Sequence, residues 1–129
     1  MACVLFIDDD PFTLKTLTKA VEMFGHQALM ATSGKDGLAL AASQSPDLIF
    51  TDMRLPDMDG LQLVKQLKNQ PATSHIPVLV LSASPVLDAV EQAKAAGAES
   101  YLNKPIRLQA LLEVINDHSA NKPKTNTTE

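Results

Sequence analysis

A chain of 129 residues with 45% apolar and 20% charged residues has the length of one domain and room for an ordinary core, which excludes disorder throughout and leaves no space for a second fold. The net charge of −4, with four Phe, one Tyr and no Trp, excludes the basic, aromatic surface of a nucleic-acid binder, so no direct nucleic-acid contact is expected. The single residue Cys3 forms neither an internal disulfide nor a cysteine metal cage, which points to a reducing cytoplasm.

The first element is a strand over Cys3–Ile7. No basic segment precedes this short apolar run and three aspartates follow it, so it reads as neither signal peptide nor membrane span, and a soluble, cytoplasmic protein is expected. From Phe12 to Phe24, Leu14, Leu17, Val21 and Phe24 recur at steps of three and four, the stripe of a helix. A second strand at Gln27–Ala31 is followed by an alanine-rich helix over Ser33–Ser43, with breaks at Gly25 and Pro46.

A third strand at Leu48–Thr51 leads to a helix carrying Leu61, Val64 and Leu67, and Pro71 and Pro77 precede a fourth strand at Val78–Ser82. The helix over Val86–Ala96 ends at Gly97, and the small side chains of Ala89, Ala93, Ala95 and Ala96 are expected to leave it a shallow surface. A fifth strand at Glu99–Leu102 precedes the last helix, with Leu108, Leu111, Leu112 and Ile115 at i, i+3, i+4 and i+7. The first, third and fourth strands are continuously apolar rather than alternating, as parallel strands covered on both faces are; the second and fifth are less so. Five βα units therefore predict an α/β domain with a parallel sheet, right-handed crossovers and helices on both faces. Residues 1–118 form this domain, and 119–129 read as a polar, disordered tail or the stub of a linker. Length and the start at Met1 favour a stand-alone domain.

All strands of a parallel sheet end at one edge, so residues that follow them converge. Here Asp8, Asp9 and Asp10 follow the first strand, Asp52 the third, Ser82 the fourth, and Lys104 with Pro105 the fifth. Taken singly, each has a plainer role. Asp8 to Asp10 before Pro11 suit a helix cap, Asp52 fits a solvated acidic turn with Asp57 and Asp59, Ser82 a strand-end hydroxyl, and Lys104 a surface lysine. Jointly, those roles explain poorly why only chemically useful residue types stand at one edge. Clustered carboxylates repel, and a hard divalent cation relieves the repulsion; Mg²⁺ takes one or two carboxylates and fills its other positions with water and phosphate oxygen. The Lys104 ammonium suits the anionic oxygens of a phosphoryl group.

Four stretches carry a family resemblance: the acidic cluster in Val4-Leu-Phe-Ile-Asp-Asp-Asp-Pro11, the run Asp47-Leu-Ile-Phe-Thr-Asp52-Met-Arg-Leu-Pro-Asp-Met-Asp-Gly60, Ile76-Pro-Val-Leu-Val-Leu-Ser82-Ala83, and Gly97-Ala98 through Tyr101-Leu-Asn-Lys104-Pro105. Over about residues 2–117 the chain closely resembles the receiver domain of two-component response regulators. The resemblance implies a flavodoxin-like (βα)5 fold, doubly wound, with a five-stranded parallel sheet in the order 2-1-3-4-5. It implies Asp52 as phosphoryl acceptor, Asp9 as a direct Mg²⁺ ligand, Asp8 as a contributor largely through water, and the Arg54 main-chain carbonyl as the last protein ligand, with Mn²⁺ able to substitute. Ser82 then hydrogen-bonds the phosphoryl group, Lys104 pairs with it, the Lys104–Pro105 peptide is cis, and Tyr101 is the switch aromatic that turns inward with Ser82. Gly60 fits the close turn that opens the third helix. Ser82 replaces the commoner threonine, and Arg54 and Ser84 flank the path of attacking water and tune phosphoryl lifetime. The histidines His26, His75 and His118 lie outside these stretches, as loop or surface residues.

The activity implied is transfer from the phosphohistidine of a histidine kinase or histidine phosphotransfer protein to Asp52. The domain catalyses only its own phosphorylation and slow autodephosphorylation, and it signals to a downstream protein through the face of the fourth helix, fifth strand and fifth helix. Three other readings compete. A haloacid-dehalogenase-like phosphatase wants an aspartate where Arg54 stands; a flavin carrier wants a Ser/Thr/Gly-rich phosphate cradle where Asp8 to Asp10 stand; a degenerate receiver acting only as a binding module is at odds with the complete residue set.

Overall fold

In the computed structural model, which describes residues 2–82, 87–103 and 106–121, strands and helices alternate throughout. They are β1 (Cys3–Ile7), α1 (Pro11–Glu22), β2 (Gln27–Ala31), α2 (Gly34–Gln44), β3 (Leu48–Asp52), α3 (Gly60–Asn69), β4 (Val78–Ser82), α4 (Leu87–Ala96), β5 (Ser100–Asn103) and α5 (Leu108–Asn121). The five strands pair in parallel in the order β2-β1-β3-β4-β5, the flavodoxin-like order that the resemblance implies.

The continuously apolar runs are the three inner strands. Along them, successive side chains point to opposite faces, so both faces need apolar cover. Val4, Phe6, Leu48, Phe50, Leu79 and Leu81 pack with Leu14 and Val21 of α1 and with Leu111 and Ile115 of α5. Leu5, Ile7, Ile49, Val78 and Val80 pack on the other side with Ala41 of α2, with Leu63, Val64 and Leu67 of α3, and with Ala93 of α4. Phe6 and Phe50 stack at 5.4 Å across the β1–β3 pair. Each of these Val, Leu, Ile and Phe side chains contributes about 1.5–3 kcal/mol on full burial. The less apolar runs, β2 and β5, are the edge strands, where one strand partner is missing and Gln27 and Met30 can stay exposed.

Several element ends and faces differ from the sequence expectation. Asp52 is the last residue of β3, not the first of a loop, because it stays in register opposite Leu81 of β4. β5 is displaced by one residue, as Ser100 pairs with Leu79 and Ser82 with Asn103. Phe24 lies beyond α1 and is 54% exposed: the helix stops at Glu22, and Gly25, with φ of +86°, turns the chain toward β2. Leu108, the first residue of α5, is also exposed. Ala93 is fully buried and belongs to the core, so the shallow surface expected of α4 loses that residue. α5 continues to Asn121, into the segment that composition assigns to a tail; a helix anchored by Leu111 and Ile115 propagates cheaply past its last buried residue.

At the opposite sheet edge the Ala2 amide donates to His26 Nδ1 at 3.1 Å, beside the Gln27 amide bonded to the Ala2 carbonyl at 2.8 Å. Burial, aided by the positive amino terminus, pushes the His26 imidazole below its ordinary value. A depressed histidine favours the neutral ring in the fold, so its contribution is complete above the ordinary imidazole range and declines as pH falls through it. Protonated Nδ1 cannot accept the Ala2 N–H. The Ala2 amide resonance should therefore titrate with a midpoint below that of a free imidazole, and His26→Phe should abolish the titration.

Candidate functional site

Sheet register builds the site. Ile7 stands opposite Thr51, so the next residues on these neighbouring strands, Asp8 and Asp52, emerge side by side at the carboxyl edge. Asp52 stands opposite Leu81, and Ser82 follows it at the end of β4, 7% exposed. Asp8 is 2% exposed, Asp52 half-buried and Asp9 exposed, so the three run from the protein interior to solvent. One carboxylate oxygen from each of Asp8, Asp9 and Asp52 lies within 4.8 Å of the others. Such an all-oxygen, triply anionic donor set fits a hard divalent cation with room for water. Oδ1 of Asp52 also accepts its neighbour Met53's amide at 2.9 Å, which fixes the carboxylate on a rigid strand end.

Other aspartates near the strand ends have structural work, and this separates the two roles that the sequence left open. Asp10 is the cap of α1: its carboxylate accepts the Phe12 amide at 3.2 Å and the Thr13 hydroxyl at 2.6 Å, with Pro11 starting the helix. The Asp10 amide in turn donates to Asp8 Oδ1 at 3.0 Å and orients it. Asp59 caps α3 through the Gln62 amide at 2.8 Å. Asp47 accepts the Cys3 amide at 2.8 Å at the opposite edge. Capping thus accounts for Asp10 and Asp59 and leaves Asp8, Asp9 and Asp52 gathered.

The loop from β3 to α3 is a tight hairpin. The Gly60 amide donates to the Met53 carbonyl at 2.6 Å and the Leu55 amide to the Met58 carbonyl at 3.1 Å, which makes Arg54 and Asp59 a bridged pair. Both bonds come from flanking residues, so the Arg54 carbonyl takes part in neither. Gly60 is required by proximity: a Cβ there would fall 2.5 Å from the Asp52 carbonyl oxygen. At the tip of the hairpin, Asp57 reaches another element altogether, accepting the Gly34 and Lys35 amides of α2 at 2.8 and 2.9 Å. These two bonds, Gly34's first, hold the Asp57 carboxyl below the usual carboxylate range. The sequence offered a solvated acidic turn as the plainer role for Asp57 with its neighbours; it is exposed as that role requires, but nothing local marks its partner 23 residues away.

The family model of the response regulator receiver domain matches residues 4–116. The chain belongs to this family. Relatives of this receiver include PilH of Pseudomonas aeruginosa, 38% identical over 116 residues, covering 90% of this chain and 96% of PilH. The polar-differentiation response regulator DivK of Brucella ovis is 31% identical over 115 residues, covering 89% of this chain and 94% of DivK. The solved chemotaxis response regulator CheY4 of Vibrio cholerae superimposes with a TM-score of 0.85 at 28% identity, covering 92% of this chain and 98% of that one.

Of the residues that the resemblance singles out, Asp8, Asp9 and Asp52 are brought together, with Ser82 at the same sheet edge. Tyr101 lies on β5 opposite Val80, half-buried against the core on the side of α4. Lys104, Pro105 and Ser84 lie outside the described residues, as does 122–129 of the tail. Among the described residues no helix is long and apolar enough to cross a membrane. His26 is half-buried and bonded, His75 exposed, and His118 stands on α5 with Nδ1 2.8 Å from the Val114 carbonyl.

Proposed function

We propose that this receiver accepts a phosphoryl group on Asp52 from the phosphohistidine of a histidine kinase or histidine phosphotransfer protein, in a Mg²⁺-dependent reaction in the cytoplasm, and thereby switches binding to a downstream protein. The observation that carries the reading is the convergence of the Asp8, Asp9 and Asp52 carboxylates within 4.8 Å after capping has been assigned to Asp10 and Asp59. Asp9, Asp52 and the Arg54 main-chain carbonyl hold the ion, Asp8 contributes largely through water, and Mn²⁺ substitutes. When bound, the ion neutralises charge on the phosphoryl oxygens.

An Asp52 carboxylate oxygen attacks phosphorus in line as the P–N bond to the donor histidine breaks. The electron pair of that bond stays on the imidazole nitrogen, and an acyl phosphate forms on Asp52. Ser82 donates a hydrogen bond to the phosphoryl group and Lys104 pairs with its charge, preceding a cis peptide to Pro105. The acyl phosphate, with close to two negative charges where the carboxylate carried one, then draws Ser82 toward the phosphoryl group and lets Tyr101 turn inward, which alters the face of α4, β5 and α5 where a protein partner binds. Arg54 and Ser84 set the lifetime of the product by flanking the path of water. The chain acts catalytically on itself alone, through phosphorylation and slow autodephosphorylation.

Incubated with a small acyl phosphate and Mg²⁺, the protein should gain the mass of one phosphoryl group, removable by hydroxylamine, and should gain none with a chelator present. Equal uptake in chelator would overturn the metal-dependent reading.

A further inference from the structure

The hairpin that carries the proposed metal-binding carbonyl is fastened at both ends. Its base is tied to the acceptor strand by the Gly60 amide on the Met53 carbonyl and by the Arg54–Asp59 pairing. Its tip is tied to α2. Asp57 accepts the amides of Gly34 and Lys35, the first two residues of that helix, whose N–H groups have no acceptor within it. The hydroxyl of the helix's own cap, Ser33, accepts the Asp36 amide at 3.2 Å. The start of α2 is therefore satisfied jointly by its own cap and by a carboxylate from the acceptor loop.

The next residue strengthens the attachment. A Cβ built on Gly34 would lie 2.6 Å from both Cγ and Sδ of Met58, so the glycine lets the loop tip sit directly on the helix backbone. Met58 Sδ also receives Gln66 Nε2 of α3 at 3.9 Å. Loop tip, α2 and α3 thus meet at one point, a few residues from Arg54.

We propose that Asp57 is a positioning residue for the metal site: by clamping the hairpin tip to the first turn of α2, it holds the Arg54 carbonyl where a divalent ion receives it. This rests on the reading of Asp8, Asp9, Asp52 and the Arg54 carbonyl as the Mg²⁺ site. Coupling of this kind is reciprocal, so Mg²⁺ binding must in turn tighten the start of α2. The first turn of α2 becomes a second place, away from α4, β5 and α5, where the state of the site is felt.

The experiment is a Mg²⁺ titration of the full chain by calorimetry, comparing the parent with Asp57→Ala, Asp57→Asn and Ser33→Ala. Ser33→Ala removes a cap from the same helix without touching the hairpin. Loss of Asp57 should weaken Mg²⁺ binding about three- to thirtyfold, the range corresponding to loss of a helix-capping interaction, while Ser33→Ala changes it less than twofold. Asp57→Asn keeps one acceptor oxygen and should recover part of the loss. In the parent, Mg²⁺ should slow hydrogen exchange at the Gly34 and Lys35 amides, a readout that needs no variant to fold. Unchanged affinity in Asp57→Ala, equal weakening in Ser33→Ala, or unchanged exchange at Gly34 and Lys35 overturns the clamp alone. A parent that binds no Mg²⁺ overturns the metal reading and the clamp with it.

Discussion

Asp52→Asn should lower phosphoryl uptake from an acyl phosphate by on the order of a thousandfold or more, the scale on which removal of a nucleophile acts. The substitution replaces a carboxylate oxygen that can attack phosphorus with an amide that cannot, at nearly constant volume. The fold should survive, because the amide oxygen can still accept the Met53 N–H that Asp52 Oδ1 accepts at 2.9 Å. A second consequence follows from charge. Asp52 stands within 4.8 Å of Asp8 and Asp9 oxygens, and removing one of three like charges relieves repulsion when no cation is bound. In chelator the variant should unfold at a temperature equal to or above the parent's, and added Mg²⁺ should raise it less. Intact mass spectrometry measures the first effect and thermal unfolding the second. Uptake at the parental rate would remove Asp52 from the role of acceptor; a lower unfolding temperature in chelator would contradict the repulsion.

Gly60→Ala should damage both stability and uptake. Its Cβ would meet the Asp52 carbonyl oxygen at 2.5 Å, Met53 Cα at 3.0 Å and the Asp52 carbonyl carbon at 3.3 Å. All three are main-chain atoms at the end of β3, where Asp52 pairs opposite Leu81 of β4 and the following Met53 amide donates to the Leu81 carbonyl at 2.9 Å. The clash cannot be absorbed by a side-chain rotation, and overpacking of this kind costs about 1–3 kcal/mol. For a domain of this size that corresponds to a drop in unfolding temperature of roughly 3–8 °C per kcal/mol. Whatever relaxation occurs must move Asp52 or break the 2.6 Å bond from the Gly60 amide to the Met53 carbonyl, so uptake should fall together with stability. Gly25→Ala is the natural comparison. That position has φ of +86° and no atom within 4 Å of the added Cβ, so its cost is backbone strain of about 1–2 kcal/mol with uptake unchanged. Parental stability and uptake in Gly60→Ala would show that the acceptor segment yields freely.

The sheet was legible because its inner strands must be apolar on both faces, and Val4-Leu-Phe-Ile, Leu48-Ile-Phe and Val78-Leu-Val-Leu satisfy that requirement without interruption. Helix faces were read less well at their ends. Leu14, Val21, Leu111 and Ile115 continue the expected stripes into the core, whereas Phe24 and Leu108 satisfy the same periodicity and remain exposed. Periodicity gives an angle around the helix axis, and burial also depends on how far the element extends over the sheet, a length that no stripe encodes. Ala93 and Leu63 erred in the other direction, one assigned to a surface and one left out of its stripe, and both are buried.

By itself the sequence determined the βα alternation, the parallel sheet, and the delivery of Asp8, Asp9, Asp52 and Ser82 to one edge, because strand ends and sheet handedness follow from local pattern and chain connectivity. Only the tertiary structure decided which aspartates are engaged in structural hydrogen bonds. Asp10 and Asp59 turn to cap α1 and α3, and Asp57 leaves its own loop to hold the first turn of α2. A carboxylate can accept a hydrogen bond from its own helix, from a distant amide, or coordinate a cation, and residue type is identical in all three cases. The choice rests on which N–H groups lie within about 3 Å once the elements have packed, a distance set by contacts between segments far apart in the chain.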